Sequence, residues 1–186
     1  MAIIIDSDRE NQCAWSPRLA PAGVGTLLEK ETFDSWWKRA SRLIGNLNPL
    51  IAEQWIYRHW TQSPYRYLPI EHLKWHQEAW NTEDIFRSIF VRTGFGPNNP
   101  DSDVTFFRDK NLEGVEPYKS LRSLGTWNYP IVIFDTPDGI RCDGEVRPVR
   151  YCLIEGHQRQ RFLEAWYRRG WGHTADQHSV FVLSAE

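Results

Sequence analysis

The densest chemistry in the chain lies in seven consecutive residues, Leu153-Ile154-Glu155-Gly156-His157-Gln158-Arg159. The apolar pair Leu153 and Ile154 reads as the end of a strand, and the residues after Gly156 read as the opening of a helix. A glycine there lets the backbone come close to a ligand. The first helical turn offers N–H groups and the positive end of a dipole, which together suit an anion. Arg159 falls in that first turn with a planar fork able to pair bidentately with phosphate, whereas Arg161 faces mostly elsewhere. Glu155 and His157 set a proton-transfer or metal-binding group on either side of the glycine. The candidate catalytic residues are therefore Glu155 and His157, the candidate phosphate-binding residues Gly156, Gln158, Arg159 and Arg161, and the candidate metal ligand Glu155. The same spacing also describes an ordinary strand–glycine–helix connection whose Arg and Glu cap and solvate the helix start.

Other groups of ligand-type residues match known patterns less well. His72 and His76 read H-x-x-x-H, but Leu73 stands where a zinc protease helix carries Glu. Asn99, Asp101 and Asp103 imitate the opening of a calcium loop. Val104 and Lys110 then occupy the positions that need Gly and Glu, so turn chemistry is the better account. Cys13, Cys142 and Cys152 are an odd set without C-x-x-C, which fits reduced thiols better than a disulfide framework.

The elements that position the junction follow from periodicity and punctuation. After a short strand at Ile3–Ile5, residues 6 to 26 read as an irregular arm. Phe33, Trp37, Ala40, Ile44 and Leu47, widened by Trp36 and Leu43, form the apolar stripe of a helix. Asn48 then caps a second helix opened by Pro49, with Ile51, Ala52, Trp55, Ile56 and Trp60 on its apolar face. Tyr65–Ile70 reads as a short strand, and Leu73–Trp80 as a turn or helical stretch. Asn81 to Asp84 is the capped start of a helix through Ile85, Ile89 and Phe90 to Gly94. Residues 94 to 103 form a loop. Pro130–Phe134 is a buried strand, Thr136–Gly139 a tight turn and Tyr151–Ile154 another strand. His157–Arg169 is a helix with Phe162, Leu163, Trp166 and Tyr167 on one side, closed by Gly170, and Ser179–Leu183 is a last β run.

With 22 Lys plus Arg against 24 Asp plus Glu among 186 residues, the formal charge of −2 excludes an overall polyanion-binding composition. Ten Trp accompany a single Met, and seven of the Trp fall in the first 80 residues, so the N-terminal part has large flat surfaces to bury in a core or against a partner. The early apolar run Ala2–Ile5 is shorter than a signal peptide's apolar region of ~7–15 residues, and no stretch approaches the ~20 apolar residues of a membrane span. A cytoplasmic protein without a membrane partner is expected.

The stretch Tyr151–Trp166, YCLIEGHQRQRFLEAW, resembles the signature of the ParB/sulfiredoxin-like superfamily, in which a strand runs into (D/E)-G-x-x-R and an amphipathic helix. Related members carry DGHHR or DGQHR where this chain has EGHQR. Tyr67–Ile70 is similar to the family's first strand, Thr82–Gly94 to its glycine-terminated helix, Tyr129–Phe134 to its Pro-Ile-x-Val strand and Val180–Leu183 to its last strand. The resemblance spans residues 65–186, with an insertion at about 95–128. It implies an α+β fold, a small mixed sheet with flanking helices, preceded by an irregular arm and Trp-rich helical hairpin annex over residues 1–64.

What the resemblance implies chemically is a pocket for ATP or CTP with Mg2+, the phosphates held at residues 153–161 by Gly156 and Arg159 and the acidic position filled by Glu155. Nucleotide hydrolysis, phosphate transfer and ParB-like nuclease activity all belong to this group, as do roles in phage defence. The reactive Cys of sulfiredoxins is replaced by His157. The Arg-rich box of chromosome-partitioning relatives is replaced by GHQR, with no helix-turn-helix segment after it. Arg141, Arg147 and Arg150, from the preceding hairpin, are expected to add charge to the same mouth. A different reading makes the chain a non-catalytic module whose Trp-rich annex docks a protein or stacks on nucleic acid.

Overall fold

The computed structural model describes residues 3–5, 13–24, 29–92, 114–142 and 145–185, the side chains of residues 3–5 and 142 excepted. It is a mixed α+β chain that divides into two compact units. The first comprises Met1–His76, Asp135–Arg150 and Leu183–Glu186, the second Gln77–Phe134 and Tyr151–Val182.

Helices packed by tryptophan dominate the first unit. Helix α1 (Phe33–Ile44) is capped by Thr32, whose side chain accepts from the Ser35 N–H. Its buried face is Trp36, Ala40 and Ile44, at i, i+4, i+8. Phe33 and Trp37 of the expected stripe are half-buried, and Leu43 is exposed. The indole N–H of Trp36 donates to Leu19 O at 2.7 Å, inside a core otherwise short of polar partners. Asn48 caps α2 (Pro49–Ile51) by accepting from the Leu50 N–H. The chain then widens into a π-helical segment, Ala52–Tyr57, which no sequence period announces. Trp15 meets Trp55 edge to face at 5.4 Å, and Tyr57 lies 5.4 Å from Trp36. Trp15, Trp36 and Trp55 are thereby spent on packing.

Two expectations fail in the next stretch. Tyr65–Ile70 is not a strand: Leu68 N–H bonds back to Tyr65 O and His72 N–H to Pro69 O, giving a turn and a 3-10 segment (Ile70–His72). Pro64 and Pro69 bracket the segment, and its buried residues, Tyr65, Leu68 and Ile70, do not alternate. Leu73–Trp80 is neither turn nor helix but strand β2. Its alternation of burial slips one place at His76 and Gln77, both exposed, which hides the period of two.

A three-stranded sheet belongs to the first unit, with β1 (Ile3–Ile5) parallel to β5 (Ile140–Cys142) and β5 antiparallel to β6 (Glu145–Arg147). Gly139, at φ 82, closes the turn before β5 and donates to Thr136 O at 2.8 Å.

The five-stranded sheet has the order β2-β8-β4-β7-β3, with β4 (Ile131–Asp135) at its centre, β7 (Tyr151–Glu155) beside it and β8 (His178–Ala185) on the other side. Helix α3 (Thr82–Ser88) is capped by Asn81 as expected, but it stops at Ser88. Ile89 and Phe90 instead form β3, which pairs in parallel with Tyr151 and Cys152; Gly94 lies outside the described residues. The 94–103 loop and Asn99, Asp101 and Asp103 also fall outside them. Within the expected insertion the chain forms helix α4 (Glu116–Leu124), ended by Gly125 at φ 68. Helix α5 (His157–Arg169) has the expected bounds and the expected glycine stop. Phe162, Leu163 and Trp166 pack inward, but Tyr167 is exposed. The core of the second unit gathers Ile85, Leu121, Trp127, Ile131, Leu153 and Phe162.

The revised face of α1 predicts a sharp contrast. Trp36→Ala should cost about 3–5 kcal/mol, whereas Leu43→Ala should stay within about 0.5 kcal/mol, both read from chemical denaturation followed by circular dichroism.

Candidate functional site

Local rules position the junction. The apolar run of β7 delivers Glu155 to the end of a central strand, and Gly156 then takes φ 102 and ψ 20, the left-handed region that side chains disfavour. A Cβ on Gly156 would lie 2.6 Å from Cγ2 of Ile131 and 3.0 Å from its Cβ, so glycine is also required by the approach of β4. That approach delivers the first turn of α5, whose N-cap residue has no side chain and whose first turn has no acidic residue. The first turn thus keeps the positive end of the helix without a carboxylate of its own to neutralise it.

Arg159 folds back under this turn. Its Nε lies 3.3 Å from where a Gly156 Cβ would stand, and its guanidinium reaches Glu155 Oε1 at 3.4 Å. Arg159 is only 6% exposed, and the Glu155 carboxylate beside it keeps the buried charge compensated. Glu155 and His157 are half-buried, Gln158 is exposed and Arg161 half-buried. Glu155, Gly156 and Arg159 are thus brought into one constellation, while for His157, Gln158 and Arg161 the chain shows adjacency along α5. Arg141, Arg147 and Arg150 belong to the first unit, where Arg150 is held bidentately by Asp135 at 2.9 and 3.0 Å.

Glu155 fits Mg2+ as a single carboxylate: its ion pair is long at 3.4 Å and its side chain stays 20% exposed. Mg2+ is commonly held by one or two carboxylates together with substrate phosphates, so the donor set suffices only when a nucleotide supplies the rest. Among the described residues no group of three or more His, Cys, Asp or Glu is arranged to hold a metal ion by itself. His72 ends a 3-10 segment and His76 lies on β2, so they do not share a helical face. Cys152 is buried in β7, as the thiol of a packed strand, and Cys13 is exposed. Among the described residues no helix is long and apolar enough to cross a membrane.

Periodicity also missed a set of buried polar groups. Gln160 and Glu164 of α5 are buried; Gln160 donates to Glu164 at 3.4 Å, and Arg168 pairs with the same carboxylate at 2.6 Å. His178, on β8, is fully buried, with Thr82 Oγ1 2.9 Å from its Nε2 and Thr126 Oγ1 2.8 Å from its Nδ1. The Trp127 ring lies 5.0 Å from the imidazole and its N–H donates to Ser179 O at 2.8 Å. A neutral imidazole donates at one nitrogen and accepts at the other, which two hydroxyls satisfy completely. Burial pushes the His178 pKa down to about 4. No local pattern marks this residue, because its partners lie 96 and 52 positions away.

Two outcomes are expected here. Gly156→Ala should destabilise the protein by about 2–4 kcal/mol, the sum of the left-handed backbone and the clash with Ile131, measured by denaturant titration. The neutral His178 contributes stability that is complete above pH about 6.5 and lost as pH falls to about 4, because the unfolded chain takes up the proton first. The loss should reach about 3 kcal/mol, and replacing His178 by Gln should remove that part of the pH dependence of unfolding.

No protein-family model, no curated protein and no solved structure matches this chain, so no relative assigns a role to these residues.

Proposed function

We propose that the chain is a ParB/sulfiredoxin-like protein that binds ATP or CTP, with the phosphates at the 153–161 junction. The observation that carries this reading is the buried Arg159 folded beneath a left-handed Gly156 at the uncapped start of α5. The first-turn N–H groups and one guanidinium thus lie within the same few residues, which brings positive potential to the junction without a broad basic surface. A strand–Gly–helix of this shape does not by itself require an arginine at the third helical position, still less a buried one.

In this reading Gly156 and the first-turn amides hold phosphate oxygens, with Arg159 as the bidentate partner and Gln158 and Arg161 at the rim. Mg2+ would be held by Glu155 and phosphate oxygens, and when bound it offsets the charge that develops as a phosphoryl group is transferred. Glu155 moves away from Arg159 as the phosphate takes over that guanidinium. His157, next to the reacting phosphate, exchanges the proton with the nucleophile or the leaving group. Hydrolysis and phosphate transfer both follow from this set; the acceptor, water or a hydroxyl, distinguishes them. Trp15, Trp36 and Trp55 are buried in the first unit's own core, while Trp37 and Trp60 of the annex are half-buried.

Millimolar ATP or CTP with Mg2+ should raise the melting temperature, by an amount that grows logarithmically with nucleotide. Arg159→Lys, which retains the charge but not the fork, should weaken nucleotide binding at least ~10-fold. Glu155→Gln should keep binding and lose turnover. A wild-type protein whose melting is indifferent to every nucleotide would sink the reading.

A further inference from the structure

Among the described residues, the first unit buries a primary amide that has no hydrogen-bond partner. Gln54 is 1% exposed, and neither its Oε1 nor its Nε2 is bonded. Other polar groups of this core are engaged elsewhere: the Trp55 indole N–H donates to Ser63 Oγ at 2.9 Å, the Trp36 indole N–H to Leu19 O at 2.7 Å and the Tyr57 hydroxyl to Glu31 O. Trp15 Nε1, a buried donor that could serve Oε1, is itself without a partner and so does not reach the amide. An amide left in this state in an apolar interior is costly, because folding removes its hydration without replacing it.

The backbone at Gln54 is interrupted at the same place. Arg58 N–H reaches back five residues to Glu53 O at 3.1 Å, whereas His59 N–H reaches back four to Trp55 O at 3.0 Å. Between those two bonds the ladder steps over the Gln54 carbonyl, where the π-helical segment Ala52–Tyr57 ends. Wide turns of this kind form where a helix accommodates an inserted group at one residue, and they are frequent at functional sites. The unbonded side chain is a matter of burial and the stepped-over carbonyl a matter of backbone register. These two independent features fall on one residue.

We propose that Gln54, through its side-chain amide and its main-chain carbonyl, holds ordered internal water within the first unit. Oxygens alone would suit a cation, and an NH2 group alone would suit an anion. Gln54 presents both, and water is the small molecule that accepts from Nε2 while donating to the oxygens. Buried waters are held in this way, by about three hydrogen bonds each to polar groups that lack protein partners. The burial of Gln54 also favours an occupant of water's size over any larger molecule. The site belongs to the first unit and uses no residue of the 153–161 junction, so it stands whether or not nucleotide binds there.

The test is a pair of water-selective, nitrogen-edited NOESY and ROESY spectra of the full chain, read at the Gln54 side-chain NH2 signals. Those signals are assigned by their disappearance in Gln54→Leu. The expected result is a cross-peak to water that has opposite sign in the two spectra, as long-lived contact gives; proton exchange gives the same sign in both. Water-oxygen magnetic relaxation dispersion then counts the molecule, and Gln54→Leu should lose about one long-lived water relative to the wild type. Gln54→Met, which keeps the length of the side chain without its hydrogen bonds, provides a second variant should Gln54→Leu fold poorly, and it should show the same loss. The proposal is overturned by the lack of such a cross-peak, by a dispersion amplitude unchanged in the folded variants, or by a shift of the Gln54 signals on exchanging sodium for potassium, which would mark a bound cation.

Discussion

The arrangement of the second unit depends on how closely Ile131 of β4 approaches Gly156. No side chain fits between them, since a Cβ would stand 2.6 Å from the Ile131 methyl. This contact dictates glycine at the end of β7, and with it a left-handed turn that only glycine adopts without strain. The turn aims α5 back across the core, so that Phe162, Leu163 and Trp166 are buried. It also leaves the space in which Arg159 lies against the backbone. A packing constraint between two apolar strands thus creates the geometry that we assign to phosphate binding. Removing the glycine would disturb the core and the candidate site together.

Burial of Arg159 has its own condition. A guanidinium taken out of water is tolerated only with a compensating charge, and Glu155 supplies it four residues earlier, across the turn. His178 solves the same problem without charge. Held between Thr82 and Thr126, it links α3, the loop after α4 and β8 through hydrogen bonds that a neutral ring satisfies fully. Among the described residues the second unit thus sets both an ionic contact, Arg159–Glu155, and a neutral one, at His178, into an apolar core. The first unit reaches the same end with tryptophan: Trp36 and Trp55 use their indole N–H groups on Leu19 and Ser63 while their rings fill the core.

Features governed by adjacent residues were legible in the sequence. Asn48-Pro49, Asn81 and Gly170 mark helix ends through capping and backbone geometry, and the short β-branched run of β4 between Pro130 and the Thr136–Gly139 turn reads as a buried strand. The glycine junction was legible for the same reason. Features set by distant partners were not. β2 slips its alternation at His76 and Gln77, so a local window cannot see a strand that the neighbouring β8 makes certain. Ile89 leaves the helical pattern because β7 offers it a parallel partner. On α5 the apolar side was read to include Tyr167, which is exposed, and the burial of Arg159 in the first turn follows from no apolar stripe. Arg159 is buried where its guanidinium lies beside Glu155 and against Gly156, neither of which an apolar stripe records. His178 was invisible altogether, its two threonines being remote in sequence.

Net charge near zero also acquires a more specific meaning. A balanced total excludes a broad polyanion surface, but it places no limit on how the charges are sorted locally. In the second unit they are sorted along β7. Trp80, with Glu78 at its indole edge, sits at the strand's first residue, while Arg159 and the open helix start lie beyond its last. Arg159 is buried beside Glu155, so its charge acts over the few ångströms around the turn and not on the surface as a whole. That burial accounts for why the feature does not show in the composition and is visible only once the strand and the turn are in place.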